Sequence, residues 1–245
     1  MGELDGRVAI VTGSSSGIGE GTARRLADLG ANVVVNSSSS VEAGEAVAGS
    51  LPSKSIYVRA DISVPADRAT LLGTTIEQFG RLDILVNNAG WTTVVPHGDL
   101  DALTDEIFRK TFEVNVFGTW GLTKEALPHL REAPDGNVVM VTSVAGNRPM
   151  GSSMAYSLTK TALNQMVVLL AKSHGPVRFN VVAPGLVDTP WTADWDELRA
   201  IIVKAVPTHR SGTPDDMAEG VLACVRNTYM TGNVLIVDGG LSVVM

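Results

Sequence analysis

A chain of 245 residues, 44% hydrophobic and 18% charged, has the composition of a globular protein with a substantial core, which excludes a disordered chain. A formal net charge of -7 without clustered Lys and Arg argues against a phosphate-tracking surface, so no nucleic-acid partner is expected. The start lacks an apolar signal core and no later apolar stretch is long enough to cross a bilayer, which reads as no membrane partner and a cytoplasmic location; four scattered histidines and one cysteine give no metal-ligand spacing.

The first predicted element is a short apolar strand, Val8–Thr12, that runs into Gly13, Ser14, Ser15, Ser16, Gly17, Ile18 and Gly19 and then a helix over 17–29. Glycines fall there where backbone must turn tightly and approach a pyrophosphate, which helix-terminal N–H groups would receive. The second strand, Val33–Asn36, ends in a serine run, and Ser37 and Ser38 stand where such folds meet the cofactor ribose. After the third, Ile56–Arg59, come Asp61 and Ile62; Asp61 is read as an acceptor for an adenine amino group, its other reading being a cap on the helix that starts near Pro65. The fourth, Ile84–Asn87, gives way to Asn88, Ala89 and Gly90, small residues at the carboxyl edge where ligands bind in open α/β sheets.

The fifth strand, Val138–Thr142, delivers Ser143, and a helix over 155–172 carries Tyr156 and Lys160 four residues apart, on one face. The sixth, Arg178–Val182, leads to Pro184, Gly185, Val187 and Thr189, with the Thr189 hydroxyl placed for a nicotinamide carboxamide; Val234–Val237 is the seventh. Near the last strand Cys224 sits among Val221, Leu222 and Val225, which reads as a buried helix face. Strands alternating with crossover helices, and no linker, predict an α/β fold: a single doubly wound Rossmann-type domain over 1–245, a seven-stranded parallel sheet flanked by helices, with a lid segment at approximately 189–212.

Taken in this order, the motifs resemble the short-chain dehydrogenase/reductase family in its compact branch of roughly 250 residues, which includes 3-oxoacyl reductases. Besides the glycine loop and Asn87 to Gly90, the resemblance runs through Asn115, Ser143, the Tyr156-Ser157-Leu158-Thr159-Lys160 pentad, Pro184-Gly185, the Arg210/Gly212/Pro214 segment, Thr231-Gly232 and Asp238-Gly239-Gly240. It implies an oxidoreductase that moves a hydride between a nicotinamide cofactor and a carbonyl or secondary alcohol, with Tyr156 as acid/base. A nearby ammonium favours phenolate, so Lys160 is expected to lower the Tyr156 pKa, and the resemblance adds a hydrogen bond from Lys160 to the nicotinamide ribose. It also makes Ser143 the polariser of the substrate oxygen and Asn115, where its helix is kinked, part of a proton relay.

NAD-preferring members carry an acidic residue after the second strand, where Ser37 stands, and NADP-preferring members often place a basic one before the Gly-Ile-Gly, where Ser16 stands. Serine hydroxyls can bond a phosphate without repelling it, so NADP(H) is favoured over NAD(H). Family substrate segments lie near Trp91, near Met150 and after Thr189, and their apolar residues point to a hydrophobic substrate; Trp191 and Trp195, four apart in a lid helix, read equally as core packing or as a pocket wall. Arg131-Glu132-Ala133-Pro134-Asp135 is a poor dock for an acidic carrier protein, which favours a free small-molecule carbonyl or alcohol. Met166, Leu169, Leu170 and the tail 241–245 either pack within one subunit or make subunit contacts, and the resemblance implies a homotetramer. The alternative is a non-catalytic nicotinamide-cofactor-binding or redox-sensing protein, which would keep the phosphate loop but lose members of the reaction centre.

Overall fold

The computed structural model describes residues 2–245, and its strands lie in one parallel sheet ordered β3-β2-β1-β4-β5-β6-β7. The strands are β1 Val8–Val11, β2 Asn32–Ser37, β3 Ser55–Arg59, β4 Ile84–Asn87, β5 Asn137–Val141, β6 Arg178–Pro184 and β7 Val234–Val237. The helices are α1 Gly17–Asp28, α2 Val41–Ser50, α3 Pro65–Phe79, α4 Asp105–Phe112, α5 Thr119–Glu132, α6 Met154–Ser173, α7 Asp196–Ala205, α8 Pro214–Arg226 and the short α9 Leu241–Val244. All seven predicted strands are present, in a doubly wound arrangement.

Helices cover both faces, which is why the central strands are nearly unbroken runs of Val, Ile and Leu. Successive strand residues serve opposite faces. Ala9 and Val11 pack with Leu26 of α1 and Leu222 of α8, while Ile10 packs on the other side with Leu71 of α3, Leu122 of α5 and Leu163 of α6. Cys224 lies in the α8 core as expected, and burial pushes its thiol up to about 11. On α6, Leu170 belongs to the core and the partly buried Met166 packs against it, whereas Leu169 is exposed, as are Met154, Leu158 and Val168.

Because β1 pairs with β2 on one side and β4 on the other, the chain diverges at their carboxyl ends and opens a crevice there. The amino edge is closed instead. Arg178, at the start of β6, donates to the carbonyls of Cys224 (2.7 Å), Val225, Asn227 and Met230 and pairs with Asp135 at 2.9 Å. Burial pushes the Asp135 carboxyl up, but Arg178 and Arg7 outweigh it and hold it below its ordinary value. Among the described residues, no helix is long and apolar enough to cross a membrane.

Candidate active site

A cavity of about 1190 Å³ lies along the carboxyl edge of the sheet. Its floor at the β1 end is the glycine loop. Gly13 sits at φ +63°, and a side chain there would press on Ala89 Cα at 2.9 Å, so the loop between β1 and α1 can lie this close to the end of β4 only without one. The Thr12 hydroxyl accepts from the N–H groups of Asn88 and Ala89, both at 3.0 Å, and the Asn88 amide donates to the carbonyls of Thr12 and Gly13. Two loops from neighbouring strands are thereby locked together. Ser16 stands at the N-cap of α1 without a side-chain hydrogen bond, and Ser15, Ser16, Gly17 and Ile18 line the cavity. The first N–H groups of α1 are left to an anion lying there.

Gly19 differs from its neighbours: its missing side chain would collide with the Gly13 carbonyl and, at 2.6 Å, with the Asn88 amide. It is a packing residue beneath the loop rather than part of the cavity wall. Asp61 and Ile62 line the wall after β3, with the Asp61 carboxylate accepting from the Ser63 N–H (2.9 Å) and hydroxyl (2.7 Å). The same carboxylate therefore shapes a turn and faces the cavity. In the serine run, Ser37 is buried and its hydroxyl lies 2.8 Å from the Tyr57 hydroxyl and 3.1 Å from the Ser40 carbonyl. Ser37 is already partnered, while Ser38 and Ser39 are exposed.

The far end of the cavity collects Ser143, Tyr156 and Lys160. Ser153 caps α6 by accepting from the Tyr156 N–H, which fixes where the helix begins and so where Tyr156 and Lys160 point. Lys160 is buried, with Nζ 3.1 Å from the Val141 carbonyl and 5.3 Å from the Tyr156 ring centre. Asn115 stands behind them, 1% exposed, in a π-helical turn over Glu113–Gly118 between α4 and α5. Its amide accepts from the Trp91 N–H (2.7 Å) and donates to the Trp91 carbonyl (3.0 Å) and the Thr159 hydroxyl (3.2 Å). The expected kink is this widened turn, which drives Asn115 inward.

The electrostatics correct one expectation. Burial pushes the Tyr156 phenol up to about 12, with the Ser143 hydroxyl pulling weakly the other way, and pushes Lys160 down to about 8. Without a bound partner, desolvation outweighs any help the phenol takes from the ammonium, because the carbonyl-bound Nζ faces the ring rather than the oxygen.

Pro184, Gly185, Val187 and Thr189 continue the wall after β6, and Thr189 opens a single 3-10 turn, Pro190–Thr192. Trp191 lies in that turn and Trp195 at the N-cap of α7, so the two do not share a helix face as expected. The Thr192 hydroxyl, bonded at 2.7 Å to the Val187 carbonyl, holds the break between them. Both indoles line the cavity, and Trp195 also packs against the Leu186, Ile202 and Val206 cluster. Met150 lines the cavity as well. Near Trp91 it is Val94 to His97 that do so, whereas the Trp91 ring lies beneath Lys110, 4.4 Å from its Nζ. His97, which the sequence left among scattered histidines, has a buried Nε2 without a hydrogen-bond partner, as has the Thr142 hydroxyl; both residues line the cavity.

A glycine loop, an uncapped helix end, an acidic residue after β3 and a buried lysine suit an elongated dinucleotide with anionic phosphates and ribose hydroxyls. The model for the family described as enoyl-(acyl carrier protein) reductase matches residues 13–242. A Streptomyces violaceoruber protein named as a ketoacyl reductase of the granaticin polyketide synthase is 52% identical, over 95% of each chain. L-fucose dehydrogenase of Bos taurus is 36% identical over 96% of this chain and 89% of that protein. The crystal structure of levodione reductase superimposes with a TM-score of 0.91 at 28% identity, over 99% of this chain and all of that one. The chain belongs to the short-chain dehydrogenase/reductase family and is a nicotinamide-dependent oxidoreductase of carbonyl and alcohol groups.

Proposed function

We propose that this enzyme reduces the ketone of a free, largely apolar small molecule with NADP(H) in preference to NAD(H), Tyr156 supplying the proton. The observation that carries the reading is the meeting of Ser143, Tyr156 and Lys160 at one end of a mostly apolar cavity whose other end is the glycine loop. The bound nicotinamide supplies or accepts the hydride. A phenol held near 12 is fully protonated at neutral pH, the form a reduction requires of its general acid. Ser143 steadies the substrate oxygen as charge grows on it, its own orientation fixed by the N–H that Ala145 donates to its hydroxyl at 3.1 Å. Lys160 positions the ribose from the buried side, and Asn115 anchors Trp91 and Thr159 around it as part of the proton path.

The cofactor contacts are assigned to Gly13, Ser15, Ser16, Gly17 and Ile18 for the pyrophosphate, to Asp61 and Ile62 for the adenine, and to Asn88, Ala89 and Gly90 for the ribose. Pro184, Gly185, Val187 and Thr189 are assigned to the nicotinamide. Val94, Leu186, Trp191, Trp195 and Ile202 give the substrate end its apolar walls, which suits a ketone embedded in a hydrophobic body. The exposed Phe117, Trp120, Val168 and Leu169 on α5, the turn before it and α6 support assembly into a homotetramer.

The test is turnover with NADPH and NADH against a panel of monoketones, diketones and sugars. Tyr156→Phe is expected to lower kcat by about a hundred- to ten-thousand-fold while leaving the thermal midpoint in place. Binding of both cofactors with no reaction above the Tyr156→Phe background would refute the catalytic reading.

A further inference from the structure

We infer that Arg59, on β3, is the cationic determinant for the 2'-phosphate of the cofactor, supplied from a strand rather than from the glycine loop. This rests on the preference for NADP(H) proposed above. Neither position from which a cation is expected carries one: Ser16 precedes the Gly-Ile-Gly and Ser37 ends β2. Ser37 cannot fill the role, since its hydroxyl is engaged by Tyr57 and the Ser40 carbonyl.

The strand register instead sets Arg59 directly beside Ser37. From there its Nε donates to the Ser38 carbonyl at 3.1 Å. That bond fixes the guanidinium against the segment Ser38 to Ser40, which lines the cavity. Among the described residues, its two terminal nitrogens have neither a hydrogen bond nor an ion pair, although eleven ion pairs tie up other cations of the chain. The arrangement leaves a planar two-nitrogen edge, which suits a phosphate, beside two exposed serine hydroxyls. The neighbouring end of α2 begins at Ser40 without a side-chain cap, so its N–H groups add to the same field. No carboxylate stands within the serine run that follows β2 to hold ribose hydroxyls in the phosphate's place; the nearest is Glu42, in the first turn of α2.

The probes are 2',5'-ADP and 5'-AMP, titrated calorimetrically into the intact protein, so that no catalysis is involved. The wild-type protein is expected to bind 2',5'-ADP more tightly, with a margin that narrows as salt is raised. Arg59→Gln is expected to weaken 2',5'-ADP by roughly tenfold or more and leave 5'-AMP unchanged; Arg59→Lys recovers part of the loss. A wild-type protein with no preference for 2',5'-ADP would overturn the NADP(H) reading and this inference with it. A preference that persists in Arg59→Gln would overturn the role of Arg59 alone. Equal weakening of both ligands would make Arg59 merely a brace for the Ser38 loop, and that also refutes the inference.

Discussion

The two edges of the sheet handle polar groups in opposite ways. At the amino edge the charged groups are matched: Arg178 spends its guanidinium on four carbonyls and Asp135, and Asp83 accepts from the Val8 N–H and from Arg81, with the Asn137 Oδ1 an orphan beside them among the described residues. At the carboxyl edge the matching is left incomplete. Lys160 is buried against one carbonyl, His97 and Thr142 present unpartnered atoms, and α1 starts without a side-chain cap. Satisfied buried polar groups rigidify; unsatisfied ones cost free energy and are tolerated where a ligand will complete them. The amino edge therefore stabilises the fold, and the carboxyl edge gives up some of that stability for binding.

The comparison is broken most sharply by disabling each edge in turn. Tyr156→Phe removes turnover and spares the fold. Arg178→Ala should do the reverse, leaving the half-buried Asp135 with only Arg7 and taking a donor from four carbonyls, of which those of Cys224 and Met230 keep the amides of Asn137 and Asn180; the expected loss is about 3–5 kcal/mol in denaturant unfolding. Its residual folded fraction should keep the wild-type KM. An Arg178→Ala protein of unchanged stability with impaired catalysis would show that the division of labour is wrong.

A subtler separation uses pH on the ligand-free protein. Lys160 lies near 8 when folded against an ordinary 10.5, so between those values the unfolded chain holds the extra proton and stability must rise with pH. Tyr156 has the opposite sign, since its phenol lies near 12 against an ordinary 10.0, and it costs stability only above about pH 10. Subtracting the Lys160→Met curve from that of the wild type should therefore leave a rise in midpoint from pH 8 to about 10. A flat difference would mean that Lys160 is not carrying a desolvation cost.

The sequence makes the carboxyl edge legible and the amino edge nearly silent. Glycines that must turn, a strand end that delivers Ser143, and a Tyr–Lys pair one helical turn apart are local patterns, visible within a dozen residues. Arg178 reads as an ordinary charge opening a strand, because its partners lie 43 to 52 residues away along the chain. The capture of Ser37 by Tyr57 is hidden for the same reason, across 20 residues. The direction of the Tyr156 shift is not legible, because charge proximity can be read from i,i+4 spacing while the depth of burial cannot. The spacing of Trp191 and Trp195 fits one helix, but the first lies in a 3-10 turn whose Thr192 hydroxyl bonds back to the Val187 carbonyl and the second at the N-cap of α7.

The smallest expected effect lies in the segment proposed as a lid. Arg199 of α7 ties that segment to the end of β6: Nε meets Asp188 at 2.7 Å, Nη1 meets Asp196 at 2.8 Å, and Nη2 donates to the Thr192 carbonyl at 2.8 Å. Both carboxylates are largely exposed, so the pairs are worth at most about 1 kcal/mol and Arg199→Ala should barely move the thermal midpoint. The clasp nevertheless borders Trp191 and Trp195 where they line the cavity, and if the segment acts as the lid expected from the sequence, a looser one must be ordered again at each binding event. Arg199→Ala should therefore raise KM for the ketone a few-fold at unchanged kcat and unchanged cofactor affinity, about what 1 kcal/mol of lid ordering amounts to. A fall in kcat without a change in KM would place Arg199 with the chemistry at the carboxyl edge instead of the lid.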